Sequence, residues 1–252
     1  TKPGLAIGVG EPAITPAPRR MMAQAISEIA KQLDASADVV ITVSIAGGEE
    51  IAEKTFNPRL GIVGGLSVLG TTGVVIPYSC SAWVHAIRCS VDVARAGGYK
   101  HIAGSTGRTS EAAVRALHGL DQTQCVEMGD FAGALLKYLK SNPIDRLTIA
   151  GGFAKMSKLA AGDMDLHSSR SQVDIEALAG MAKDLGASPG LVERARRANS
   201  AGQILEMATS EELAIGDMIA KGARETVLAT LSGGTEVDVA VFDRRGGLVG
   251  HA

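Results

Sequence analysis

The chain has 252 residues, with 25 Lys+Arg against 27 Asp+Glu, and the resulting net charge of −2 excludes a protein that coats nucleic acid through bulk basicity. Its three cysteines, Cys80, Cys89 and Cys125, are odd in number and form no CxxC pair, which excludes a disulfide scaffold and a zinc ribbon. A chain of this length buries a full core without staples, so one large domain or two smaller ones are both open.

Residues 1–20 carry Pro3, Pro12, Pro16 and Pro18 and read as extended or turning. The chain opens on Thr1-Lys2-Pro3-Gly4, without Met, inside what reads as a loop, and no charged n-region with an apolar core marks a secretory signal. From Arg19 to Leu33, Met22, Ile26, Ile29 and Leu33 make one helical stripe. The β-branched run Asp38–Ile45, closed by Gly47-Gly48, reads as a strand, and 50–77 as short strands and loops. Gly61–Val84 has no ionisable group except the Cys80 thiol and the Tyr78 phenol, yet five glycines, Pro77 and five Ser or Thr residues break it. A spanning helix needs about 20 predominantly apolar residues, so a buried strand with glycine turns is expected there and no membrane span. A helix follows from Ser79, with Val84, Ile87, Val91 and Ala94 on one side, and Gly97-Gly98 stops it.

A regular rhythm then sets in. Short strands at 100–103, 123–127 and 146–150 each run into a glycine-bearing loop and then a helical stretch. Strand, glycine loop and helix in repetition mark a parallel α/β sheet, whose right-handed crossovers gather the three loops at the carboxyl ends of the strands. Residues 174–231 read as helical, with Thr209 and Glu212 as a capping box for the last helix. Val237–Phe242 and Leu248–Gly250 flank Asp243-Arg244-Arg245-Gly246-Gly247 as a hairpin. The expected fold class is α/β: a mostly parallel sheet with flanking helices in 76–231, its C-terminal part helical. A smaller α+β portion is expected from 1–75 with 232–252, its strands joined by the C-terminal hairpin, and the joint is placed near 70–80.

Three loops and one polar run hold the candidate chemistry. Gly104, Ser105, Thr106 and Gly107 follow a strand and open a helix, where backbone N–H groups bind anions, and Arg108 adds a forked donor. The alternative is a plain tight turn, and the Walker Lys and spacing are absent. Glu127, Gly129 and Asp130 end the next strand, where an acidic side chain accepts ribose hydroxyls; Asp130 as a simple N-cap is equally open. Lys155 and Lys158, three apart, form a cationic face for an anionic ligand or an ordinary solvated one. In Asp165–Ser171, His167 is the candidate proton handler and Arg170 the anion clamp, against the alternative of a loop with a satisfied histidine. His85, His101, His118 and His251 lack metal-ligand spacing, and with HExxH absent no protein-held metal is expected. Neither GxGxxG nor GxSxG occurs, which weighs against a dinucleotide fingerprint and a hydrolase elbow.

Several long blocks together resemble one family. Thr1–Leu5, Gly10-Glu11-Pro12-Ala13-Ile14-Thr15-Pro16-Ala17-Pro18-Arg19, Asn57–Gly73 and Gly151–Ala160 are similar to the CbiD family, as are Ser105–Arg108, Met128–Phe131 and Leu166–Ser171. The resemblance runs from residue 1 to 252; the family's N-terminal segment, with its Thr-Thr-Gly-Ser-Cys-like opening, has no counterpart before Thr1. It implies methyl transfer from S-adenosylmethionine to C1 of cobalt-precorrin-5B, giving cobalt-precorrin-6A in cobalamin biosynthesis, by a cytoplasmic enzyme. Cobalt arrives only within the tetrapyrrole. The implied partners are that tetrapyrrole and other enzymes of the pathway, with no nucleic acid and no membrane; a homodimer is left open. On this reading Gly104–Gly107, Glu127, Gly129 and Asp130 hold the donor. Arg19, Arg59, Arg108, Lys155, Lys158 and Arg170 meet the substrate's carboxylate arms, and His167 assists a proton transfer. The rival readings are a non-catalytic tetrapyrrole-binding pathway protein and a nucleotide-cofactor α/β oxidoreductase.

Overall fold

The computed structural model describes residues 1–70 and 79–252. They form two compact units, Thr1–Gly97 and Gly98–Ala252.

In the first unit, α1 spans Pro16–Leu33 and begins where Pro16 and Pro18 suit the first turn, whose N–H groups have no intrahelical acceptor. Asp34 ends it in the left-handed region at φ 48. Short α2 (Gly48–Glu53) and longer α3 (Cys80–Ala96) follow; α3 buries Ile87, Val91 and Ala94, the stripe read from the sequence. The strand expected at 38–45 does not form: those residues join no ladder, and Val40 is 95% exposed. Strand propensity expresses how well a side chain fits a half-buried pleated surface, and among the described residues this run pairs with no other strand to make one. Among the described residues of this unit, strand pairing is limited to the isolated bridge Ile14–Val68. The expected joint near 70–80 and the Thr71–Gly73 end of the long family block fall largely or wholly outside the described residues.

The second unit is the α/β sheet. β1 (His101–Ser105), α4 (Arg108–His118), β2 (Cys125–Glu127), α5 (Ala132–Ser141), β3 (Arg146–Gly152) and α6 (Phe153–Ala160) keep the rhythm read from the sequence. Four more helices follow: α7 (Ile175–Asp184), α8 (Pro189–Arg196), α9 (Ala201–Ser210) and α10 (Ile215–Leu231). The capping box expected at Thr209 and Glu212 is not made. Thr209 lies in the last turn of α9, its hydroxyl donating to Leu205 O (2.8 Å), Glu212 turns through φ 55, and α10 starts after Ala214.

The chain closes with β4 (Glu236–Phe242) and β5 (Leu248–His251) in the sheet order β2-β1-β3-β4-β5. β4 runs parallel to β3, and β5 returns antiparallel to β4. Residues 232–252 therefore belong to the α/β sheet and not with 1–75. β4 is buried at six consecutive positions from Val237, as a strand covered on both faces must be, so its apolar run reads as parallel-sheet interior.

Packing fixes the helices on this sheet. On one face Ala103, Ala150, Ala240 and Phe242 pack with Val114 of α4. On the other, Gly104 leaves room for Leu135: a Cβ there would lie 2.5 Å from Leu135 Cδ2. Each buried leucine such as Leu135 or Leu139 contributes roughly 1.5–3 kcal/mol. α10 lies so close to β5 that a Cβ on Gly216 would fall 2.5 Å from the Val249 carbonyl carbon. Toward the amino-terminal end of the strands a polar group replaces this apolar packing: His101, His118, Arg146, Thr148 and Asp238. Burial, more than any neighbouring charge, pushes the pKa values of His101 and His118 down.

Candidate functional site

The sheet changes direction between β1 and β3. From β1 the chain steps outward to β2, then returns to the other side of β1 to lay down β3. At such a point the two following loops splay apart and leave a crevice at the carboxyl edge. An open cleft of about 400 Å³ occupies that position. One wall is the loop after β1 with the start of α4, including Thr106, Gly107 and Arg108. The facing wall is the loop after β3, from Gly152 to Lys155. Ser200 to Gly202 and the turn after β4, Phe242 to Arg244, complete it.

Three helices begin at this rim. Gly107 precedes α4, Gly152 precedes α6, and Ser200 caps α9, accepting the Gln203 N–H (3.4 Å). Helix N-termini present unsatisfied N–H groups and the positive end of the helix dipole, so their convergence favours an anion. Arg108, Lys155 and Arg244 add three cations against the single carboxylate of Asp243. That carboxylate is engaged in its own turn, accepting N–H bonds from Arg245 (2.8 Å) and Gly247 (2.7 Å). Phe153, Ala154, Ala201, Leu205 and Phe242 supply apolar lining. The cleft therefore suits a molecule with an acidic end and a flat or apolar body.

Around the cleft, the sequence-predicted residues fall into distinct groups. Thr106, Gly107, Arg108 and Lys155 line it together. Asp130 does not cap α5, whose N-cap is Phe131; its Oδ1 instead lies 3.0 Å from Lys155 Nζ, which also donates to Thr106 O (3.1 Å). Asp130 thus ties the loop after β2 to the other two loops and stands behind the cationic wall. Gly129 turns through φ 57, which glycine adopts without strain, and its N–H and that of Met128 donate to Ser105 O (3.2 and 2.9 Å). Glu127 ends β2 at the same edge without lining the cleft. Gly104 and Ser105 are buried beneath it, Gly104 as the seat for Leu135.

Lys158 does not share a solvent face with Lys155. It is 7% exposed, and its ammonium donates to Leu166 O (3.0 Å), pinning the loop after α6. Beyond that pin, His167 and Arg170 lie exposed on a turn outside the cleft. His167 Nδ1 accepts the Ser169 N–H (3.2 Å), and Asp165 Oδ1 accepts the His167 N–H (3.1 Å), so the histidine is held by its own turn. Arg19 and Arg59 lie in the first unit. There Arg19 pairs with Glu11 (2.9 Å) and donates to Ile14 O and Pro12 O, which closes the proline-rich loop on itself. Sequence reasoning missed Arg244 and the Ser200–Gly202 wall. Arg244 was visible only as a hairpin-turn residue, and Ser200 fell unmarked within the stretch 174–231 read as helical.

A mostly parallel α/β sheet with a cleft of helix N-termini and cations at its switch point has the architecture of strand-end ligand sites. The family models described as "CbiD" and "CbiD, C-terminal domain" match residues 1–77 and 165–252. Cobalt-precorrin-5B C(1)-methyltransferase of Paramagnetospirillum magneticum is 54% identical over 100% of this chain and 70% of its own length. The proteins of that name from Bradyrhizobium sp. and Brucella abortus are 53% and 55% identical, with 67% and 68% of their lengths covered. A crystal structure of cobalamin biosynthesis protein (cbiD) from Archaeoglobus fulgidus is 27% identical, covering 67% of this chain and 54% of that one, at a TM-score of 0.27. The chain belongs to the CbiD family.

Proposed function

We propose that this chain transfers a methyl group from S-adenosylmethionine to C1 of cobalt-precorrin-5B. The observation that carries the reading is its identity of more than half, along its whole length, to proteins bearing that name. The chemistry asks little of a protein beyond placement. The electron pair of an electron-rich ring carbon forms the new C–C bond to the methyl, the C–S bond breaks, and the sulfonium leaves as a neutral thioether. Holding the two centres in line and excluding water is worth roughly 7–11 kcal/mol of barrier.

The cleft suits the donor. Small-ligand pockets run from roughly 300 to 1,000 Å³, so about 400 Å³ holds one nucleoside-sized molecule and leaves the macrocycle outside. The donor's carboxylate then meets the N-terminal turns of α4 and α6, and its adenosine the apolar wall. The tetrapyrrole lies across the rim, its acetate and propionate arms met by Arg108, Lys155 and Arg244, with Asp130 positioning Lys155. Cobalt enters within the substrate and takes no ligand from the cleft. His167 remains the candidate for handling a proton at the macrocycle side, from the loop that Lys158 pins.

Calorimetric titration with S-adenosylmethionine and with its demethylated product, followed by transfer of a labelled methyl to cobalt-precorrin-5B, tests the proposal. Saturable donor binding with one methyl transferred per substrate is the expected result. Absence of both donor binding and methylated product in the folded chain refutes it.

A further inference from the structure

At the end of α4 away from the cleft, three side chains from distant parts of the sequence converge. His118 Nε2 lies 3.3 Å from Asp238 Oδ2, and His251 Nε2 lies 3.5 Å from the same oxygen. All three ligand-type atoms fall within 4.8 Å of one another. The two histidine–carboxylate separations match edges of a tetrahedron: with bonds of roughly 2.0–2.2 Å to zinc, neighbouring nitrogen and oxygen ligands stand about 3.3–3.6 Å apart. His118 Nε2 is buried and faces the Asp238 carboxylate, so its lone pair can be turned to a shared ion.

The surroundings hold the carboxylate as a metal site requires. Arg146 Nε donates to Asp238 Oδ1 (3.1 Å), and the Thr148 hydroxyl donates to the same carboxylate (2.9–3.0 Å). His101 Nε2 in turn lies 2.7 Å from Thr148 Oγ1. This chain of contacts fixes Asp238 with Oδ2 toward the two histidines, and orienting contacts behind a ligand raise metal affinity about 10–100-fold. Asp238 and His118 are nearly enclosed, while His251 is about half exposed and leaves a route for an ion from solvent. α4 has 11 residues and is about 16 Å long, so this group lies a helix length from the cleft and from any cobalt carried by a substrate there.

We propose that His118 Nε2, Asp238 Oδ2 and His251 Nε2 bind one divalent transition-metal ion of the zinc class, with water in the fourth position. The ion ties the C-terminal end of α4 to β4 and β5. Two histidines with one carboxylate are a donor set suited to zinc and its first-row neighbours rather than to magnesium or calcium, which take oxygen ligands. The separations of 120 and 13 residues between these ligands explain why motif spacing along the chain gives no sign of the site.

The test is titration of the full chain, stripped with a chelator, with Zn²⁺ alone by calorimetry and with Co²⁺ by visible absorption. One ion per chain is expected, with the ligand-field bands of four-coordinate Co²⁺. His251→Ala, which alters a half-exposed side chain and spares the core, and Asp238→Asn should each weaken binding at least about tenfold. His85→Ala, at a histidine outside the group, should leave it unchanged. No saturable uptake by the unmodified chain overturns the proposal. So does uptake of equal affinity in folded His251→Ala and Asp238→Asn chains.

Discussion

The same substitution, glycine to alanine inside a helix, should act with opposite sign at two positions of the sheet unit. At Gly216 in α10 a new Cβ would sit 2.5 Å from the Val249 carbonyl carbon, whereas ordinary contact begins at 3.4 Å. The carbonyl oxygen is nearer still, and the facing residue beyond it, Gly250, meets the backbone of Gly216 and Asp217 in return. The helix must withdraw by more than about 0.9 Å, the difference of those two distances, because the nearer oxygen demands a larger shift, and the obstacle is backbone, which no rotamer change relieves. Overpacking that side chains can absorb costs about 1–3 kcal/mol, so Gly216→Ala is expected at or above about 3 kcal/mol. In a domain of this size that lowers Tm by about 6–12 °C, taking roughly 2–4 °C per kcal/mol. At Gly180, in the middle of α7, a Cβ meets nothing within 4 Å. Gly180→Ala should therefore stabilise by about 0.5–1 kcal/mol, since alanine loses less conformational entropy on entering a helix. Calorimetric melting of both variants beside the parent chain is the assay. A Gly216→Ala protein that melts within about 2 °C of the parent refutes the close seating of α10 on β5 and with it the register of the final strand.

Four further outcomes follow from the geometry. Leu135→Ala should cost about 2–5 kcal/mol in chemical denaturation, and Gly104→Ala about 1–3 kcal/mol. Made together they should cost less than their sum, because the alanine at 104 fills the space that Leu135 Cδ2 vacates. Lys155→Ala should weaken tetrapyrrole binding while sparing donor affinity, measured by separate titrations; Asp130→Asn should give the same pattern in weaker form, and loss of donor binding alone would reverse the two ligands' places. Arg244→Ala should likewise reduce affinity for the polycarboxylate substrate by about tenfold, a charged hydrogen bond contributing about 1.5–3 kcal/mol. Finally, the Ser188 hydroxyl and N–H both donate to Glu211 and hold its carboxyl below the usual carboxylate range. A carboxyl lowered in this way stabilises the fold above its unfolded-chain pKa, and that contribution disappears as pH falls through the lower folded value. Ser188→Ala should raise the Glu211 pKa in an NMR titration and flatten this part of the pH–stability curve.

The sheet was legible because its signal is local. β1, β2 and β3 each end in glycine-bearing turns, and Leu135 and Leu139 of α5 repeat at helical spacing, so neighbouring residues state the element and its boundary. The cleft was half legible for the same reason: Thr106–Arg108 and Lys155 follow strands, where ligands gather in such folds. What the sequence hid depends on distance along the chain. β4 pairs with β3 some 90 residues after it, so its hairpin pattern revealed the strands and not their sheet. Arg244 and Ser200 reach the cleft only through that pairing and through the placement of α9. His118, Asp238 and His251 meet for the same reason, from a helix end and two late strands. Asp38–Ile45 misleads in the opposite direction: its β-branched residues satisfy every local rule, but a strand is a property of two segments and this one has no strand partner among the described residues.

That run has a practical consequence. Val39, Val40, Ile41, Val43 and Ile45 all stand at least 45% exposed, in a stretch without proline whose only charge is Asp38. Such a stretch is a template for another copy of itself, since each added molecule satisfies idle amides and hides aliphatic surface at once. Concentrated stocks of this chain should accordingly thicken into fibrillar or gelled material. One lysine gatekeeper at Val40 should delay that onset while leaving the melting of the sheet unit where it was.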